Sequence, residues 1–146
     1  MKTSKIPTLR PVSLALTAAA IMLMLLPWGV ETARTNGPDN PPIIALHSYF
    51  DTYPAFGGGN FAPIITAYLA IITLIVLLIQ RKKPRSITAI ILLGLCVLLH
   101  IPAWFLTQMI FGWPSPIMPL SVVICAVLTA ALCSEISSAV KGKFQK

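Results

Sequence analysis

This chain is short of acid. Four Asp and Glu face eleven Lys and Arg in 146 residues, a formal net charge of +7. The four acids are Glu31, Asp39, Asp51 and Glu135, and none lies deep within a long apolar run: Glu135 stands at the end of one and Glu31 directly after another. Intramembrane aspartic peptidases need paired Asp that share a proton, so that chemistry is excluded. Exchange of the kind run by four-span multidrug exchangers is disfavoured too, because it depends on an acid inside the first span. There this chain offers only the hydroxyls of Ser13 and Thr17. Cysteine is also scarce. Cys96, Cys125 and Cys133 are odd in number and sit inside apolar runs, which excludes a secreted disulfide framework and predicts reduced, small hydrophobic side chains. The nearest two are eight apart, so a Cys-x-x-Cys thiol oxidoreductase is excluded as well. A lipid phosphatase needs His and Arg together at the membrane surface; Arg34 stands apart, and no Arg of the basic clusters has a His nearby.

Charge of either sign makes up only 10% of the chain, and 56% is hydrophobic, against roughly 45–50% in a soluble domain. Four long apolar runs account for this excess, at residues 12–30, 61–79, 87–109 and 117–136. The first has 19 residues, near the roughly 20 that cross a bilayer core as helix. Between runs the longest piece is the loop 31–60, shorter than the roughly 50 residues a soluble domain needs. The expectation is one all-α membrane domain over residues 1–146, a bundle of four transmembrane helices. The first run exceeds the usual signal-peptide core, and Glu31 stands where a cleavage site needs a small residue, so it reads as an uncleaved anchor.

The basic residues give the orientation. Lys2, Lys5 and Arg10 precede the first run, Arg81, Lys82, Lys83 and Arg85 lie between the second and third, and Lys141, Lys143 and Lys146 follow the fourth. Cytoplasmic loops carry the Lys and Arg excess, so both termini and the central loop are expected in the cytoplasm and loop 31–60 outside. Cations placed this way meet anionic lipid headgroups, which accounts for the net charge without nucleic acid as a partner.

Residues 35–42 of the loop are rich in Asn, Gly and Pro and read as irregular chain. Its later part is apolar and aromatic, with Ile43, Ile44, Leu46, Tyr49, Phe50, Tyr53 and Phe56, and is expected to lie on the membrane surface or to cap the bundle. Asn60 is placed to cap the second helix, Pro63 fits its first turn, and Pro102 is expected to bend the third. Helices in lipid associate through small residues and hydrogen bonds. Ser13, Thr17 and Ala20 form such a stripe on the first; Ala62, Thr66, Ala70 and Thr73 form one on the second. On the fourth, Ser121, Cys125, Thr129, Cys133 and Ser137 beside Ala126, Ala130 and Ser134 give the expectation that this face points inward and that Leu at 126 or 130 would prise the bundle open.

His100 is the one ionisable residue deep within a run, and shares a helix face with Cys96, Trp104 and Thr107. Its structural reading is a neutral imidazole bonded to a carbonyl or hydroxyl of a neighbouring helix; its functional reading is a relay or ligand. His47 and Asp51 share a face if their segment is helical and could join His100 around a metal, but paired ligands at short fixed spacing are lacking, and no metal or other cofactor is expected. Asp51 reads otherwise as a turn residue.

The stretch Ser48, Tyr49, Phe50, Asp51, Thr52, Tyr53 and Pro54, followed by Gly58, Gly59, Asn60, Phe61, Ala62, Pro63, then Ile65 and Thr66, resembles a recurring segment of uncharacterised small four-pass bacterial membrane proteins. The resemblance implies a multi-pass protein of the bacterial plasma membrane and supplies no catalytic residue. Abundant spans and scarce reactive groups point to a non-enzymatic accessory or structural partner of another membrane protein. A small transporter or channel component acting as a homo-oligomer is the alternative. For the orientation, we predict that cysteines introduced singly at Asn40 and Lys83, in a background without the native three, react oppositely with an impermeant thiol reagent on intact cells. Labelling of Lys83→Cys from outside would reverse the assignment.

Overall fold

The computed structural model describes residues 10–27, 30–34, 43–51, 62–80, 86–111 and 118–141, with side-chain surroundings for 11–27, 47–51, 62–80, 86–100 and 120–140. Four helices, α1 (Arg10–Met24), α2 (Ala62–Ile79), α3 (Ile87–Phe111) and α4 (Met118–Lys141), form a bundle, and two strands, β1 (Val30–Arg34) and β2 (Ile43–His47), connect α1 to α2. Each local boundary has a cause. Pro11 sits in the first turn of α1, where its missing N–H is no loss. At the other end Leu26 N–H donates to the Leu23 carbonyl, a tightened last turn, and Pro27 follows. The helix is therefore shorter than the apolar run that holds it. Pro63 occupies the first turn of α2 as its chemistry requires. Ser86 caps α3, its Oγ accepting from the Ala89 amide at 3.1 Å. Pro102 lies inside α3, which is helical on both sides of it. Asn60 lies outside the described residues.

The loop after α1 is partly a hairpin. β1 and β2 are antiparallel, with Val30 opposite His47 and Arg34 opposite Ile43. Residues 35–42, read as irregular chain, connect the strands and lie outside the described residues.

The helices close into a square, α1 against α2 and α4, and α3 against α2 and α4. Ser13 near the start of α1 meets Glu135 late in α4, so those two helices run antiparallel. One pattern of burial recurs in all four. Ser13, Thr17, Ala20 and Met24 of α1 are buried; so are Thr66, Ala70, Thr73 and Leu77 of α2, Ala89, Leu93, Cys96 and His100 of α3, and Ile124, Leu128, Ala131 and Glu135 of α4. The steps are four, three and four in each case. Eleven residues in three steps average about 3.7, close to the 3.6 residues of a helical turn, so each buried stripe stays on one face of its helix. Tyr49 joins the same core from the hairpin side.

The stripes expected on α1 and α2 face inward, but the one on α4 does not. Ala126, Thr129, Ala130, Cys133 and Ser137 are exposed, while Ile124 and Leu128 are buried. The reason is volume. Neighbouring α1 lines the core with Ser13, Thr17 and Ala20, and α3 adds Ala89 and Cys96, so the fourth wall must supply large side chains to fill the interior. Elsewhere the outer surface is aliphatic: Ile65, Ile72, Ile75 and Leu78 on α2, and Ile87, Ile91, Leu95 and Leu98 on α3. Ala62–Ile79 and Leu120–Val140 are long and apolar enough to cross a membrane; Pro11–Met24 and Ile87–His100 are shorter apolar helical segments among the described residues.

The inverted face of α4 reverses the expected mutational pattern. Leu128→Ala opens a cavity in a closed core and is predicted to cost about 2–5 kcal/mol, whereas Ala130→Leu is predicted to change stability by less than about 0.5 kcal/mol. Thermal unfolding in detergent measures both. Greater damage from Ala130→Leu would mean that the small face is interior after all.

Candidate functional site

The hairpin ends in a turn at residues 48–51 that carries one aromatic ring into the bundle. Local hydrogen bonds set its shape: Ser48 N–H donates to Asp51 Oδ2 at 2.7 Å, Asp51 N–H to the Ser48 carbonyl at 3.3 Å, and Phe50 N–H to Ser48 Oγ at 3.2 Å. Asp51 is thus a turn residue, holding the backbone by its side chain. The turn is docked by its main chain, since Tyr49 N–H donates to the Met24 carbonyl at 3.0 Å. This carbonyl belongs to the last turn of α1, where helices leave such acceptors unused. Beside it, Phe50 packs edge-on against Tyr68 of α2, with ring centroids 6.3 Å apart at 84°.

Tyr49 is 3% exposed and reaches His100, itself 4% exposed. Their rings lie 5.7 Å apart and nearly parallel, at 9°. His100 Nε2 is 2.8 Å from the Ser121 carbonyl of α4 and 3.1 Å from the Tyr49 hydroxyl oxygen. A carbonyl can only accept, so Nε2 must carry a proton and donate to it, with the phenol oxygen sharing that donor. The proton position is thereby fixed by chemistry. Two groups are left over: the Tyr49 O–H is not consumed by His100, and Nδ1, as a bare lone pair, has no hydrogen-bond partner. Burial raises the phenol well above its ordinary pKa, with nearby Cys125 adding to the effect, so the O–H stays protonated.

Of the candidates named from sequence, His100 meets both kinds of partner expected of it, a carbonyl on a neighbouring helix and a hydroxyl. His47 and Asp51 also come together, Nδ1 to Oδ2 at 3.9 Å, although no helix joins them; His47 ends β2 and the turn brings Asp51 back. They do not gather with His100, for no three His, Cys, Asp or Glu side chains among the described residues could hold a metal ion. Trp104 and Thr107 have side chains outside the described set. All three cysteines are free, with Cys96 buried one turn from His100.

Two participants escaped the sequence reading. Tyr49 was one loop aromatic among several, and only its place between Ser48 and Asp51, two strong turn formers, distinguishes it. Glu135 read as the end of a span, yet it is 2% exposed and accepts from Ser13 Oγ at 2.5 Å. Its four-three-four spacing from Ile124 was the available signal. The two polar contacts of α4, at Ser121 and Glu135, are fourteen residues apart, about 21 Å of helical rise. Between them the buried face is apolar, with Ile124, Leu128 and Ala131.

No protein-family model, curated protein or solved structure matches this chain. The geometry alone therefore defines the site: a main-chain-docked turn whose tyrosine covers a buried histidine.

The donor assignment makes a prediction. His100→Gln keeps an N–H for the Ser121 carbonyl and is expected within about 0.5 kcal/mol of the parent, whereas His100→Leu is expected to lose about 1 kcal/mol, an ordinary interhelical hydrogen bond in a membrane. Unfolding in detergent separates them. If Gln were as damaging as Leu, the bond from Nε2 would not be what His100 contributes.

Proposed function

We propose that this chain is a four-pass protein of the bacterial plasma membrane, both termini cytoplasmic, that serves as a non-enzymatic accessory or structural partner of another membrane protein. The observation that carries this reading is the outward face of α4. Exposed aliphatic residues on α2 and α3 suit lipid tails, but Ala126, Thr129, Ala130, Cys133 and Ser137 suit the close approach of another helix. Two helices of membrane-crossing length and the alternation of basic clusters with apolar runs support the location and orientation.

A second reading has its own observation. His100 and Glu135 are ionisable groups buried in the bundle near opposite ends, and intramembrane ionisable side chains mark paths for ions or substrates more often than other residues do. That favours a small transporter or channel component acting as a homo-oligomer.

Enlarging the α4 face tests the first reading. With Ala130→Phe, the particle extracted in mild detergent from native membranes should shrink to the mass of the lone 15.8 kDa chain in its micelle, with the unfolding temperature unchanged. An unaltered particle would refute the docking face. Assembly into multiples of the chain mass, together with saturable His100-dependent flux in vesicles of the purified protein, would replace the accessory reading by transport.

A further inference from the structure

Tyr49 is held as a ligand is held. Its ring is covered on all but 3% of its surface, lies parallel to the His100 imidazole and places its hydroxyl at the protonated Nε2, while its own backbone makes a single hydrogen bond to the helical bundle, at the Met24 carbonyl. Met24 of α1 and His100 of α3 receive it directly, and Ser121 of α4 holds His100 in place. The turn carrying it is closed by bonds within itself, from Ser48 N–H to Asp51 Oδ2 and from Phe50 N–H to Ser48 Oγ, so its shape does not depend on being seated. It can therefore leave as a unit. Nor does the seated state satisfy everything it encloses. His100 Nδ1 is buried with no partner, and the phenol proton is not taken up by His100, whose Nε2–H is committed to the Ser121 carbonyl. Buried polar groups are ordinarily paired, so a seated phenol whose own O–H is unpaired is an occupant that another phenol can match or better.

We propose that Tyr49 is a built-in occupant of a phenol-accepting slot at the hairpin end of the bundle, and that a free phenolic compound enters the slot when the 48–51 turn withdraws. An aromatic ring replaces the stacking on His100, and its hydroxyl oxygen replaces the share of the Nε2 proton. Untethered, the guest can also turn its O–H toward an acceptor that the chain-bound ring cannot reach. The slot takes neutral phenols in preference to phenolates, because their burial away from water disfavours the charged form. Nothing in this depends on whether α4 has a partner, since the slot lies inside the bundle and the α4 docking face outside it.

The probes are p-cresol, which is the tyrosine side chain without its backbone, and toluene, which lacks the hydroxyl. In the full-length protein in detergent, hydrogen exchange of the segment carrying residues 48–51 should be faster than that of mid-α2 and should accelerate further with p-cresol, by severalfold more than with an equal concentration of toluene. Tyr49→Phe, which keeps the ring and removes a hydrogen bond of ordinary strength, should speed the same exchange about tenfold without added ligand. In Tyr49→Ala, p-cresol should raise the unfolding temperature and protect Cys96 from a water-soluble thiol reagent, again more than toluene does. If p-cresol leaves wild-type exchange unchanged, the slot is closed in the natural protein and the proposal fails, even where Tyr49→Ala is rescued. Equal responses to p-cresol and toluene overturn the role of the hydroxyl. Should Tyr49→Ala not fold, the wild-type and Tyr49→Phe measurements decide alone.

Discussion

Because a main-chain carbonyl can only accept, the 2.8 Å contact between His100 and Ser121 places the imidazole proton on Nε2, and the hairpin end of the molecule is arranged around that choice. The same proton is what the Tyr49 oxygen approaches, so α3, α4 and the 48–51 turn meet at one donor. Through Tyr49 the turn also satisfies the Met24 carbonyl at the end of α1. Three helices and a loop are thus joined by groups that would each be expensive to leave unpaired away from water. The opposite end of the bundle has a smaller counterpart in Ser13 and Glu135, again involving α4.

Between these ends the core hydroxyls bond first within their own helices. Thr17 donates to the Ser13 carbonyl, Thr66 to that of Ala62 and Thr73 to that of Leu69, each bond returning one turn along its own helix. A threonine bonded in this way presents its methyl group to the interior and behaves in packing much like a small valine. Two walls of small residues can then approach closely, and the Ile124 and Leu128 side chains of α4 occupy what remains.

Much of this was legible in the chain before any coordinates, and the parts that were not have a common cause. Periodicity and small-residue stripes identify the helices and the inner faces of α1 and α2, because those faces contrast clearly with their surroundings. On α4 both faces are plausible: one is small, the other large, and either can be buried. Which one goes inside depends on the volume left by α1 and α3, a property of the assembly and not of the segment. The hairpin was obscured in a similar way. Asn36, Gly37, Pro38 and Asp39 announce a turn, but Val30 reads as the end of the apolar run and Glu31 to Arg34 as the start of a loop, with no alternation to mark a strand. For the site, His100 stood out as an isolated ionisable group. Its partners did not, since one is a loop tyrosine thirteen residues before the start of α2 and fifty-one before His100, and the other is a carbonyl oxygen.

Both anchors that the bundle offers to this region from α1 and α4, the Met24 and Ser121 carbonyls, belong to the polypeptide backbone and would be present whatever side chains stood there. Substitution at either position leaves the acceptor in place as long as the helix persists. The hydrogen bonds of this region therefore ask nothing of those two side chains and fall, among side chains, on Tyr49 and His100. Distant relatives would keep the pair of aromatic rings and the spacing between them long after the sequence around their partners had become unrecognisable.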